Sequence, residues 1–329
     1  MSHPFFRTTL TLLILFTVTG IVQAQKNAPI KEPNVRAQLE FLASDAMQGR
    51  GSGTNFERIA AEYIASQFRQ FGLEPAGDTD AAGNKGFVQR VATDQTGTNA
   101  TWNVIGVLRG SDPRAAAEVI MLSAHLDHIG VNESLTGDKI FNGADDDASG
   151  CVAVLELARV LATGKRPRRT VYFVCFGSEE CRGYGSRHFI ANPPVPLTQI
   201  VAQVQFEMLG RPDSKVAEGT LWLTGFERST LGPELAKQGA ALVADPRPEQ
   251  NFFRRSDNYP FALRGVIAHT VSSYGMHTDY HRVTDEVSKI DFPFMTRSLN
   301  SLVKPIQWLV NSNFKPAWLP GQAPVPRQP

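Results

Sequence analysis

The chain has little cysteine, almost no net charge and, past its first residues, no apolar run long enough to cross a membrane. Its three cysteines, Cys151, Cys175 and Cys181, are an odd set without the paired spacing of a thiolate metal site, so neither a zinc ribbon nor a disulfide scaffold organises it. Cys175 lies in an apolar strand-like run and Cys151 opens a helical one, which reads as buried free thiols. Lysines and arginines number 33 against 32 acids, a net charge of +1 that leaves no footprint for nucleic acid or an anionic membrane. The most glycine-rich stretch, Gly49-Arg50-Gly51-Ser52-Gly53-Thr54, lacks the lysine and the preceding strand of a phosphate-binding loop and reads as a plain loop. Internal repeats are absent as well. A small substrate is what this composition leaves.

What the chain does have is length and a core. With 329 residues, 42% hydrophobic and 20% charged, it can bury one large α/β domain or two modest ones. Met1 to Gln25 shows a basic start at Arg7, an apolar run from Leu10 to Val22 and a small residue at Ala24, the pattern of a cleavable export signal over residues 1–24. No cysteine follows Ala24, which argues against a lipid anchor. The expected product is exported, periplasmic or extracellular, and free of the membrane. One domain over 25–315 is followed by a proline-rich tail, 316–329, expected to be disordered.

Asn34 to Met47 and Phe56 to Phe71 carry helical apolar spacing, and Gly72 stops the second helix. From Asn103 onward, strand-like runs alternate with helices, which predicts a mostly parallel sheet covered on both faces. The runs are Val104–Leu108, Glu118–Leu122, Thr170–Phe176, Ile200–Phe206 and Gly265–Val271, and Phe292–Val310 forms a final helix through Pro305. The later runs are followed by His125 and Asp127, by Glu179 and Glu180, by Glu207, and by His277 and His281. In open α/β sheets the ligand site lies beyond the carboxyl ends of the strands, so these groups should converge.

Between a loop and the helix Cys151 to Ala162 stand three consecutive carboxylates, Asp145, Asp146 and Asp147. A solvated acidic turn with Asp147 or Ser149 capping the helix would need only one of them; three adjacent anions call for something positive nearby. The converging set is rich in oxygen and imidazole and has no thiolate, the donor mixture of hydrolytic zinc or manganese sites. Two divalent ions, three carboxylates and a hydroxide would be nearly neutral together, leaving one carboxylate over as a general base.

His125-Leu126-Asp127, Gly143 to Gly150, Glu179-Glu180 and Tyr280 to Asp285, in this order, resemble the co-catalytic zinc aminopeptidases of the bacterial leucyl aminopeptidase and aminopeptidase Y type. That family also contains glutamate carboxypeptidases and related glutaminyl cyclases. The resemblance, which runs from about Asn34 to Val310, implies a single three-layer α/β domain with a central mixed, mostly parallel sheet, the zinc exopeptidase fold. It implies two zinc ions per chain: Asp146 bridging them, His125 and Glu207 completing one, Glu180 and His281 the other. Glu179 would be the general base that takes a proton from a metal-bridging water and passes it to the leaving amine. Asp127 would hydrogen-bond His125, and the Asp146–Asp147 bond would be cis. His281 stands ahead of His277 as a ligand by motif context, and His128 and His269 read as structural or hydrogen-bonded residues.

Two departures from the family pattern stand out. Glu207 occupies a position where the family commonly has aspartate, and Ser256-Asp257-Asn258 replaces a Ser-Asp-His stretch. Phe253 also stands where some members use tyrosine to steady an oxyanion, a role that Tyr280 or Arg255 could take. The implied activity is hydrolysis of N-terminal peptide bonds in peptide substrates. A carboxypeptidase reading a terminal carboxylate through Arg254 or Arg255, a one-metal glutaminyl cyclase and a non-catalytic metal-binding relative are the alternatives. Glu179 argues against the last, because binding alone does not need a base.

Overall fold

A computed structural model of the chain describes residues 29–325; the export signal expected over 1–24 lies outside them. Their core is a twisted sheet made of β1 (Glu74–Pro75), β2 (Val88–Ala92), β3 (Ala100–Leu108), β4 (Val119–His125), β7 (Thr170–Phe176), β8 (Ile200–Phe206), β9 (Leu221–Leu223), β10 (Leu242–Ala244) and β11 (Ala268–Ser272). The two-residue strands β5 (Gly130–Val131) and β6 (Ile140–Phe141) pair apart from it. Along the sheet the order is β1-β3-β7-β4-β8-β11-β9-β10, with β2 on β3. The middle run β7-β4-β8-β11 is parallel, while the β1, β2 and β3 pairings and β11-β9 are antiparallel. The expected parallel sheet is thus the centre of a mixed one.

Burial on both faces explains why the central strands read as unbroken apolar runs. Val171, Phe173 and Cys175 of β7 join one core with helices α1 (Glu32–Leu42), α2 (Asn55–Gln70), α3 (Gly150–Thr163) and α7 (Phe292–Asn311). Their neighbours Tyr172, Val174 and Phe176 join a second core with α4 (Tyr184–Ala191) and α6 (Asn258–Ala262). The strand period of two therefore sorts one sequence into both outer layers. Helix α5 (Leu231–Lys237) packs against β10 and α7.

Local chemistry sets the helix ends. Thr54 caps α2 by accepting the Glu57 N–H at 3.3 Å, and Asp291 caps α7 by accepting that of Phe294 at 2.8 Å. Gly72, at φ +75°, turns the chain away from α2, as expected. The first predicted helix is shorter than its apolar spacing implied: α1 ends at Leu42 and a 3₁₀ segment, Asp45–Arg50, follows. The proline-rich tail is ordered at its start. Thr230 N–H donates to the Ala317 carbonyl at 3.0 Å, and the Trp318 indole packs on Phe253 and His269, because one half-buried aromatic gives this segment apolar area to dock.

Candidate metal centre

The carboxyl ends of the central strands bring the expected side chains together. His125 closes β4, Glu179 and Glu180 follow β7, and Glu207 follows β8. Asp146 lies before α3, and His281 beyond β11 with its backbone at φ +53°. His125 Nε2 stands 3.2 Å from Asp146 Oδ1, and His281 Nε2 stands 3.2 Å from Asp146 Oδ2 and 3.0 Å from Glu180 Oε2. One carboxylate, Asp146, thus faces two separate groups. His125, Asp146 and Glu207 gather donor atoms within 4.8 Å of one another, as do His128, Asp146 and Glu180.

Of the three consecutive aspartates only Asp146 looks into this space. Asp145 accepts the Gly210 N–H at 2.7 Å and meets His277 Nε2 at 3.0 Å. Asp147 accepts the N–H groups of His125 at 3.2 Å, Gly150 at 2.9 Å and Met208 at 3.2 Å, tying β4, α3 and β8 at one point. Its bond to Gly150 is the helix-start role open to it from the sequence. The peptide between Asp146 and Asp147 is cis. Asp285 in turn accepts the N–H groups of Asp145 and Asp146, each at 3.0 Å.

Asp127 differs from expectation. His125 Nδ1 lies 3.2 Å from the Asp127 main-chain carbonyl and 3.7 Å from its carboxylate, beyond a hydrogen bond. The carboxylate is turned the other way: Oδ1 accepts the Glu179 N–H at 2.9 Å, and Oδ2 the Glu180 N–H at 3.3 Å. Asp127 therefore hydrogen-bonds the main chain of the glutamate pair and meets the histidine side chain only at ion-pair distance. His128, read as structural or hydrogen-bonded, holds Glu180 Oε1 through Nδ1 at 2.9 Å and so belongs to the cluster.

The electrostatics call for a cation. Burial, and then the neighbouring Glu207 and Asp257, push the Glu179 carboxyl well above its usual range, although His125 opposes them. Burial raises Glu207 to about 7. His125 Nε2, His281 Nε2, Asp146 Oδ2 and Glu207 Oε2 are buried and lack hydrogen-bonded partners among the described residues, the close approaches above being misaligned for one. Buried polar atoms left unpaired are costly. Imidazole nitrogens and carboxylate oxygens converging without donors suit a divalent ion, and the two donor groups have Asp146 in common.

Beside Glu207 a narrow cavity is walled by Trp222, Phe252, Arg255, Tyr274 and Tyr280. Tyr280 stacks on His281 with ring centroids 3.8 Å apart. Arg254 lies instead over the Tyr259 ring, and Phe253 is packed among Tyr259, His269 and Trp318. On the Glu180 side a wider cleft runs past Ser52, Phe56, His128 and Ile129.

Residues 103–303 match peptidase family M28. The chain belongs to that family. Among curated relatives, leupeptin-inactivating enzyme 1 of Streptomyces exfoliatus is 28% identical over 253 residues, covering 75% of this chain and 50% of that protein. The chain spans half or less of the length of this and other curated relatives it matches. A zinc aminopeptidase of Bacillus subtilis shares the fold with a TM-score of 0.66 at 16% identity, covering 88% of this chain and 98% of that one. The glutaminyl cyclase of Porphyromonas gingivalis shares it with a TM-score of 0.63 at 19% identity, covering 86% and 100%. The family resemblance and the fold read from the sequence are both borne out. Sequence reasoning passed over Ser52 and Asp257 beside this site; Asp257, buried with an unpartnered oxygen, is the middle residue of the noted Ser-Asp-Asn stretch and could have been weighed.

Proposed function

We propose that this chain is an exported exopeptidase that hydrolyses the N-terminal peptide bond of peptide substrates with two zinc ions per chain, released from an export signal over residues 1–24. Membership of family M28 supports the hydrolase, and the unpaired donors of His125, Asp146, Glu207 and His281 support the metals. His125 and Glu207 would hold one ion, Glu180 and His281 the other, and Asp146 both. Zinc bound there would polarise the scissile carbonyl and draw the pKa of the attacking water toward neutrality.

The chain's own part is proton handling and placement. Glu179 is the general base: its carboxyl is buried beside His125 and Glu207, its backbone is pinned by Asp127, and burial favours its protonated form after the water has been deprotonated. It then delivers that proton to the leaving amine. The substrate's free amine lies against Glu179 and Glu207, with its first side chain directed into the cavity lined by Trp222, Phe252 and Tyr280. Tyr280 and Arg255 border the same cavity and are placed to steady the developing oxyanion. The observation that carries the reading is the shared position of Asp146 between two donor groups.

Arg255 on the cavity wall favours one second reading, a carboxypeptidase that grips a terminal carboxylate. Metal content per chain, with hydrolysis of free and N-acetylated aminoacyl amides, separates them. Two metals and cleavage of free amides only are expected. Cleavage indifferent to acetylation would move the assignment to the carboxypeptidase, and one metal without amide hydrolysis to cyclase chemistry.

A further inference from the structure

Gly49–Thr54, which the sequence presents as a plain loop, is wedged between two segments that carry site residues. Gly49 sits at φ +65°, and a Cβ there would strike the carbonyls of Phe141 and Gly130; one on Gly51 would come within 3.0 Å of Gly130 Cα. Only glycine allows so close a backbone approach. Between them the Arg50 side chain is fully buried and spreads over four main-chain carbonyls. Nε donates to Leu126 at 3.0 Å, Nη1 to Leu42 at 2.6 Å and Asn142 at 2.7 Å, and Nη2 to Gly143 at 2.9 Å. Leu126 follows His125, and Gly143 opens the turn that ends in Asp146. The Arg50 carbonyl accepts the His128 N–H at 3.1 Å.

The Arg50 guanidinium is satisfied by carbonyls; burial draws it below its usual value, against the opposing fields of Asp127, Asp285 and Asp147. Two residues on, the Ser52 hydroxyl donates to Asp127 Oδ2 at 2.5 Å. That is the carboxylate that pins Glu179 and Glu180. The loop thus touches every segment of the site on this side without supplying a donor to it.

We propose that Gly49–Ser52 is the positioning loop of the metal centre. Arg50 fixes the separation of the segments bearing His125 and Asp146, and Ser52 orients Asp127 so that Glu179 and Glu180 face the reaction space. Both are positioning residues, and the proposal rests on the zinc-hydrolase reading above. The planar fork of arginine reaches several carbonyls at once; a lysine ammonium in its place keeps the charge and loses the geometry.

The test compares wild type, Arg50→Lys, Ser52→Ala and Ser52→Thr. The measurements are zinc affinity by chelator competition, thermal midpoint of the metal-free protein, and kcat and KM. For Arg50→Lys we expect zinc binding weakened about 10–100-fold. Ser52 is half-exposed, so Ser52→Ala should fold; its zinc affinity should stay within about 3-fold while kcat falls about 10-fold at unchanged KM, and Ser52→Thr should recover most of it. A purely structural loop would lower the metal-free midpoint and leave these quantities alone. Wild-type zinc affinity in Arg50→Lys, or wild-type kcat in Ser52→Ala, overturns the proposal. Wild-type protein that takes up no zinc overturns the hydrolase reading instead.

Discussion

At the scale of single residues, two adjacent glutamates stand in different environments, which suits them to the different roles proposed for them. Glu180 is engaged on both oxygens, by His128 at 2.9 Å and His281 at 3.0 Å, whereas Glu179 makes no side-chain hydrogen bond among the described residues. Replacing Glu179 by glutamine removes the proton acceptor and keeps the shape. Turnover should fall by about 10²–10⁴-fold with zinc content unchanged, measured by steady-state kinetics and metal analysis on the same sample. Loss of zinc along with activity would show that Glu179 binds metal. The identity of this pair was legible from the sequence, because an acidic pair directly after an apolar strand is an unusual place for solvated charge. The work of Asp127 was not legible. Its neighbour His125 suggested an imidazole partner, but its carboxylate meets main-chain N–H groups some fifty residues away, and no side-chain pattern reports on those.

At the scale of elements, the central strands were readable because burial on both faces makes them long apolar runs. The edge strands β9 and β10, three residues each, are too short to carry a period. Strand β11 contributes a buried histidine whose role is structural, in line with its sequence reading. His269 Nδ1 lies 2.7 Å from the Thr224 carbonyl and so must carry the proton; Nε2, 2.7 Å from Ser229 Oγ, accepts. Burial lowers its pKa to about 4 from 6.5. The neutral form is the folded one, so its contribution to stability is complete above pH 6.5. It is lost as the pH falls from 6.5 toward 4, because the unfolded chain takes up the proton first. Denaturant unfolding at pH 7 and pH 5 should show wild type losing on the order of 1–2 kcal/mol more than His269→Gln over that interval. Equal losses would mean that the ring titrates normally in the fold.

At the scale of the whole molecule, the sheet gathers negative charge at one end, and Arg50 is the buried cation within that field. Removing divalent ions should therefore destabilise the protein. Exhaustive chelation is expected to lower the thermal midpoint by several degrees, and stoichiometric zinc to restore it, since a ligand held only by the folded state adds its binding free energy to folding. A midpoint indifferent to chelation would mean that protons already neutralise the cluster. Fold class was legible at this scale from the alternation of elements alone. The close packing of Gly49–Ser52 was not, because glycines that permit a close approach look in sequence like glycines in any turn.

The residues grouped around Asp146, namely His125, His128, Glu180, Glu207 and His281, come with it from five separate stretches of chain, and only His125 and His128 are near each other in sequence. An unfolded chain therefore holds at most two of these side chains together. On the proposed reading, the full donor set exists only once β4, β7, β8 and the segment after β11 have come together. If residues 1–24 carry the chain through a membrane unfolded, the compartment in which it folds, rather than the one in which it is made, decides which ion it acquires.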